Sequence, residues 1–182
     1  AGIDLGYFTI DRNLPSVYLS NSTLKKIFGN DFAGIPVNNA TAFVNNSIIM
    51  AETESRETED ITGKIYVDQF SINGFLVNNI ASYLGIPDLF NTSTGRSVIG
   101  RFGLMDSQGL NANYGMFPPE PSPWEKIYMG WETPVVVSNI DQRVNISERL
   151  TASTSDTTLL KIPINSSEYF LIENRSQDAL KD

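Results

Sequence analysis

Seven asparagines of this 182-residue chain, Asn21, Asn39, Asn45, Asn91, Asn145, Asn165 and Asn174, each open an N-x-[ST] triplet. Its 17 asparagines and 31 serines and threonines would give roughly three such triplets if placed at random. The chemistry on offer is glycan attachment on the surface of an exported protein. Chance spacing in a surface rich in Asn, Ser and Thr is the competing reading. Carboxylates are the second reactive group. Residues 52 to 60 carry five acids and one arginine, a run expected to be a solvated loop. A calcium loop would need oxygen ligands at fixed intervals, and no EF-hand pattern is present. Zero cysteine removes disulfides, thiolate nucleophiles and zinc–thiolate or iron–sulfur sites. Zero histidine removes the commonest general base and metal ligand. No glycine-rich phosphate loop follows a strand, and GRSVIGRFG (residues 95–103) reads as a plain loop.

Charge narrows the partners. A formal net charge of −8 repels nucleic acid and anionic membrane surfaces. No apolar stretch approaches the roughly 18 residues a bilayer crossing needs. Ala1 is not an initiator, so a mature or excised segment is expected. With 41% hydrophobic and 19% charged residues, the composition is that of a globular domain, extracellular and with no cofactor expected; calcium lacks a supporting motif.

The elements that must position these groups follow from periodicity. Gly6 to Asn13 alternates weakly, as a strand would. Ser20 to Thr23 offer N-cap side chains before Leu24, Ile27 and Phe28, predicting a short helix that stops near Gly29. Ala42 to Ala51 suits a strand. Between Gln69 and Gly85, Ile72, Phe75, Leu76, Ile80, Tyr83 and Leu84 recur at spacings of three and four. They predict a helix with one wide buried stripe, closed by Gly85 and Pro87. A structured loop is expected over residues 91–115, then an extended passage where residues 118–123 hold four of the nine prolines. Trp124 to Tyr128 predicts a short helix ended by Gly130 and Trp131. The last third turns to β-rich runs, Pro134–Ser138, Gln142–Ser147, Thr157–Ile164 and Glu168–Arg175, separated by polar turns. The expected class is α+β, with one central helix and a C-terminal antiparallel β meander. Residues 1–132 form the larger part and 133–182 a β-rich extension packed on it as one compact unit.

The stretch VNNIASYLGIPDLFNTSTGRSVIGRFGLMD (residues 77–106) resembles the active-site region of secreted metalloproteases related to immune inhibitor A. Those proteins carry H-E-x-x-H-x-x-G-x-x-D on a helix, often continued as a Leu-Pro-Asp-Leu-Tyr-like run. A turn with methionine follows, then a Pro-rich segment, a Trp opening a short helix, and a Gly-Trp pair. Here stand Gly85, Ile86-Pro87-Asp88-Leu89-Phe90, Gly103-Leu104-Met105-Asp106, Pro118 to Pro123, Trp124 and Gly130-Trp131. Tyr169 to Arg175 matches the terminal strand. The similarity covers roughly residues 70–176 and implies a metzincin-like metalloprotease-type core, with Met105 in the place of the methionine under the metal.

Aligned on Gly85, the first histidine of that motif falls on Asn78, the glutamate on Asn79, the second histidine on Ser82 and the acid on Asp88. In a working zincin the two histidines share a helical face and bind zinc while the glutamate polarises the bound water. Neutral amides and a hydroxyl hold zinc poorly, and Asn79 accepts no proton at neutral pH. The resemblance therefore implies a non-catalytic pseudoprotease without metal. Its expected role is structural or binding, through self-association into a surface layer or filament or through other extracellular proteins. Two alternatives stand beside it: a hydrolase using carboxylates such as Asp88 or Asp106, and a peptide- or glycan-binding module at the former cleft. Each residue also has a plainer role. Met105 fills a core, Asp88 is exposed or caps, Trp124 and Trp131 anchor packing, and Glu173 pairs with Arg175 or another cation.

Overall fold

The computed structural model describes residues 16–110, 112–138, 141, 143–149 and 151–175. The weak strand expected at Gly6 to Asn13 lies outside them. Contacts divide the chain into two compact units, Ala1–Glu120 and Pro121–Asp182. The class is mixed α and β, with four α-helices and small sheets among the described residues.

The first unit opens with β1 (Val17–Leu19) and α1 (Asn21–Phe28). The Ser20 hydroxyl caps α1 by accepting from the Thr23 N–H at 3.1 Å, as the local sequence dictates. Two short strands follow, β2 (Ile35–Val37) and β3 (Ala42–Val44), paired as an antiparallel ribbon. The run expected as one strand from Ala42 to Ala51 breaks at Asn45-Asn46, and its second half, β4 (Ser47–Ile49), pairs instead with β1.

The acidic run is not a loop. β5 (Glu54–Glu59) and β6 (Ile65–Phe70) form a six-pair antiparallel hairpin. β6 is rich in β-formers; along β5 Glu57 and Glu59 face water, while Glu54 on the other face is half-buried and accepts from the Ser16 hydroxyl at 2.6 Å. The hairpin turn is tied by Asp60, whose Oδ1 accepts from the Thr62 hydroxyl and N–H at 2.6 and 2.8 Å and from the Lys64 N–H at 3.1 Å. Those donors, the Thr62 hydroxyl first, hold the Asp60 carboxyl below the usual range.

The central helix, α2 (Asn73–Tyr83), begins four residues after the expected start because Gln69 and Phe70 complete β6. Its rotation is also opposite to expectation. Gly74, Asn79 and Ala81 are buried, whereas Leu76, Ile80, Tyr83 and Leu84 are exposed by 37–53%. The inner face meets backbone: a Cβ on Gly74 would lie 2.1 Å from the Leu110 carbonyl oxygen. Only a residue without a side chain permits that approach. The closing glycine behaves as predicted. Gly85, at φ 95°, donates to the Ser82 carbonyl and Ile86 to the Ala81 carbonyl, both at 3.0 Å, a Schellman motif that buries Ile86.

Residues 91–115 contain α3 (Ser107–Leu110) and two 3₁₀ turns, Gly100–Phe102 and Ala112–Gly115. Among the described residues, the buried apolar side chains of this unit are Leu24, Ala81, Ile86, Leu104, Met105 and Ala112. Most of that small core sits where α2 meets this segment.

The second unit begins with α4 (Pro123–Tyr128), capped reciprocally by Ser122 and Glu125. Gly130 and Trp131 end it with the motif that ends α2, donating to the Ile127 and Lys126 carbonyls at 3.0 and 2.9 Å. Residue 132, the expected end of the larger part, falls inside this unit. β7 (Val135–Val136), β8 (Leu159–Pro163) and β9 (Tyr169–Glu173) make one sheet in that order. β8 and β9 pair antiparallel, Leu160 opposite Ile172, but β7 runs parallel to β8, so the sheet is not a plain antiparallel meander. Parallel entry requires a long connection, and residues 137–158 supply it. Described residues 143–147, expected in a strand, are irregular. No helix among the described residues is long and apolar enough to cross a membrane.

Candidate functional site

The inner face of α2 and the turn at Met105 come together. Asn78 Nδ2 lies 3.4 Å from Met105 Sδ, and Met105 is fully buried. The segment after α2 is pinned to the same turn, because the Leu89 N–H donates to the Met105 carbonyl at 2.9 Å. This holds Asp88, one residue earlier, near the turn backbone. Asp88 itself is exposed. Partial burial pushes its carboxyl above the ordinary range, an effect that surrounding water dilutes.

Asn79 points elsewhere. Its Nδ2 donates to the Phe75 carbonyl of its own helix at 2.8 Å and sits 3.8 Å from Met50 Sδ. The side chain is buried and tied to a backbone acceptor, so it presents no amide to a cleft. Ser82 is half-buried. The structure thus joins Asn78, Met105 and the segment bearing Asp88, and separates Asn79 from them. Among the described residues, no three acidic side chains converge as a metal site would require.

Asp106 follows Met105 directly and is completely buried. Its Oδ2 accepts from the N–H groups of Val98, Ile99 and Gly100 at 2.7, 2.9 and 3.2 Å. Its Oδ1 accepts from the Gln108 N–H at 3.0 Å. Burial opposes ionisation, yet the donors from Gln108, Val98, Ile99 and the Ser97 hydroxyl outweigh it and lower the pKa to about 2. The carboxylate is ionised throughout the physiological range and occupied by its own loop. An aspartate just ahead of a short helix was the only signal for this role.

In the second unit, Glu173 lies between two cations. Oε1 meets Lys126 Nζ at 2.5 Å, and Oε2 pairs with Arg175 Nε. Arg175 Nη2 also donates to the Pro121 carbonyl at 2.8 Å. The lysine and glutamate are each about 3% exposed, and the pairing with Arg175 is the one expected from sequence. Trp124 stacks on Tyr128 with centroids 5.0 Å apart. Trp131, expected as a packing anchor, is instead 53% exposed. Beside it Glu132 accepts from the Thr158 hydroxyl and pairs with Arg149 at 3.3 Å. Sequence reading missed this group because its members come from three separate segments.

All seven sequon asparagines are exposed. At Asn165 the Ser167 hydroxyl donates to Oδ1 at 3.1 Å, and the Ser167 and Glu168 N–H groups donate to the same atom at 2.9 Å. Asn91 forms a similar turn with Ser93 and Thr94. Compared with known proteins, the chain matches no family model, no curated protein and no solved structure.

Proposed function

We propose that the chain is a non-catalytic extracellular domain built on the plan of the immune inhibitor A-type metalloproteases, serving a structural or binding role. The observation that carries this reading is the fate of the three chemical positions. Asn78 rests on the buried Met105, Asn79 is tied to Phe75 of its own helix, and Ser82 brings only a hydroxyl. A methionine beneath the first ligand position agrees with the metzincin-like arrangement, while the ligands and base that zinc hydrolysis needs are replaced. Seven exposed sequon asparagines support export and glycosylation.

Self-association has its own support. Leu76, Ile80, Tyr83 and Leu84 form an exposed apolar row on α2, and the ribbons of the first unit have unpaired edges among the described residues. Such surfaces are covered in assemblies.

Zinc titration with proteolysis assays tests the reading. The natural chain is expected to bind no stoichiometric zinc and cleave no casein. Joint replacement Asn78→His, Asn79→Glu and Ser82→His is the minimum expected to restore binding. Tight zinc binding or cleavage by the unaltered chain would refute the proposal. Sedimentation velocity across a concentration series, with intact mass on the same sample, checks assembly and glycan addition. A bare, strictly monomeric chain would remove both from the reading.

A further inference from the structure

A cavity of about 470 Å³ opens in the second unit beside Trp131, Glu132, Arg149, Ser155, Asp156 and Thr158. That volume falls in the range of small-molecule sites. The walls are already ordered. Glu132 holds the Thr158 hydroxyl and the Arg149 guanidinium. Across the loop, Asp156 Oδ2 accepts from the Ser153 N–H at 2.8 Å, the Asp156 N–H returns to the Ser153 carbonyl at 3.0 Å, and the Ser153 and Ser155 hydroxyls meet at 2.9 Å. The Trp131 backbone N–H donates to the Lys126 carbonyl at 2.9 Å, while its side chain stays half in solvent. An indole half in solvent among the lining residues leaves part of a flat aromatic surface free to pack against a ligand.

The lining selects one ligand chemistry. Glu132 and Asp156 oppose an anion, as does the net charge of −8. Both carboxylates are already engaged, Glu132 by the Thr158 hydroxyl and Arg149 and Asp156 by the Ser153 N–H. Among the described residues no third acid joins them to ligate a cation, and the ring of hydroxyls gives an apolar molecule little to bury. A neutral ligand with many hydroxyls and one apolar face fits all of these. Its C–H face covers an indole, while its hydroxyls both donate and accept, as guanidinium, carboxylate and Ser/Thr groups require. We propose that this cavity binds a neutral pyranose, as one sugar residue of a glycan. The inference goes beyond the reading of α2 and stands on the second unit alone, so either can fail without the other.

The test uses the full chain with methyl glycosides of glucose, galactose, mannose and N-acetylglucosamine, read by saturation-transfer NMR. At least one glycoside is expected to bind saturably, with a dissociation constant on the order of millimolar for a ligand of that size. Trp131→Ala, which removes an exposed side chain, is expected to weaken binding at least tenfold. Arg149→Lys keeps the pair with Glu132 but loses the planar fork, and a fall of roughly fivefold is expected. Thermal melting confirms that both variants fold. The proposal is overturned if no glycoside binds saturably, if both folded variants bind as the natural chain does, or if sulfate displaces the sugar and marks an anion site.

Discussion

Asp106 and Glu173 are both buried acids, and their surroundings differ in kind. Asp106 takes neutral N–H groups from residues within eight positions of it. Glu173 sits between two cations, one of them 47 positions away on α4. The first arrangement closes a loop on itself; the second ties the last strand to the helix that opens the unit. A third buried acid, Glu125, is held in the reciprocal cap of α4. Burial of charge therefore serves local order at Asp106 and Glu125 and tertiary order at Glu173. The difference appears in what each site loses when disturbed.

The largest loss is expected at Glu173. Glu173→Leu removes one partner from a buried ion pair and should cost about 3–5 kcal/mol. Both tryptophans lie in the second unit, so urea unfolding followed by their fluorescence reports it directly. A loss below 1 kcal/mol would mean that Glu173 does not tie strand to helix.

Asp106 comes next and is read through pH. Its folded pKa of about 2 lies below the unfolded value near 3.9. The stability it contributes, about 2 kcal/mol, is therefore present above pH 4 and lost as pH falls towards 2. Urea unfolding of the first unit, followed by tyrosine near-UV dichroism at pH 5 and pH 2, should show that loss. In Asp106→Asn the loss should already be present at pH 5 and its pH dependence should flatten. A steep acid dependence surviving in the variant would assign the effect to another group.

The smallest effect is expected at the cap. Ser122→Ala removes the acceptor for the Glu125 N–H and should cost about 1 kcal/mol, read by tryptophan fluorescence. A loss as large as that of Glu173→Leu would show that the cap, not the ion pair, governs the unit.

Local rules made parts of this molecule legible. The Ser20 cap, the Gly85 and Gly130 stops and the β8–β9 pair each depend on residues close together in the chain, and all stand where sequence placed them. The acidic run misled because charge alone suggests a loop. Its strand depends on pairing with Ile65, Val67 and their neighbours across a turn. Periodicity located α2 but assigned its buried side by hydrophobicity, which is blind to where another backbone comes close. The cavity beside Trp131 was invisible for a related reason: nothing in one segment signals the two others that complete it.

The contact between Gly74 and Leu110 leaves α2 one admissible angle about its own axis. Turning the helix to hide Leu76 and Ile80 would swing Asn78 off Met105 and drive a side chain into the Leu110 carbonyl. The apolar row is thus presented outward by steric exclusion rather than by weak packing. Substitutions at Leu76 and Ile80 therefore change the chemistry of an outward face while leaving the helix seated, whereas Tyr83, edge-on to the Tyr18 ring at 6.0 Å, is bound to its neighbour.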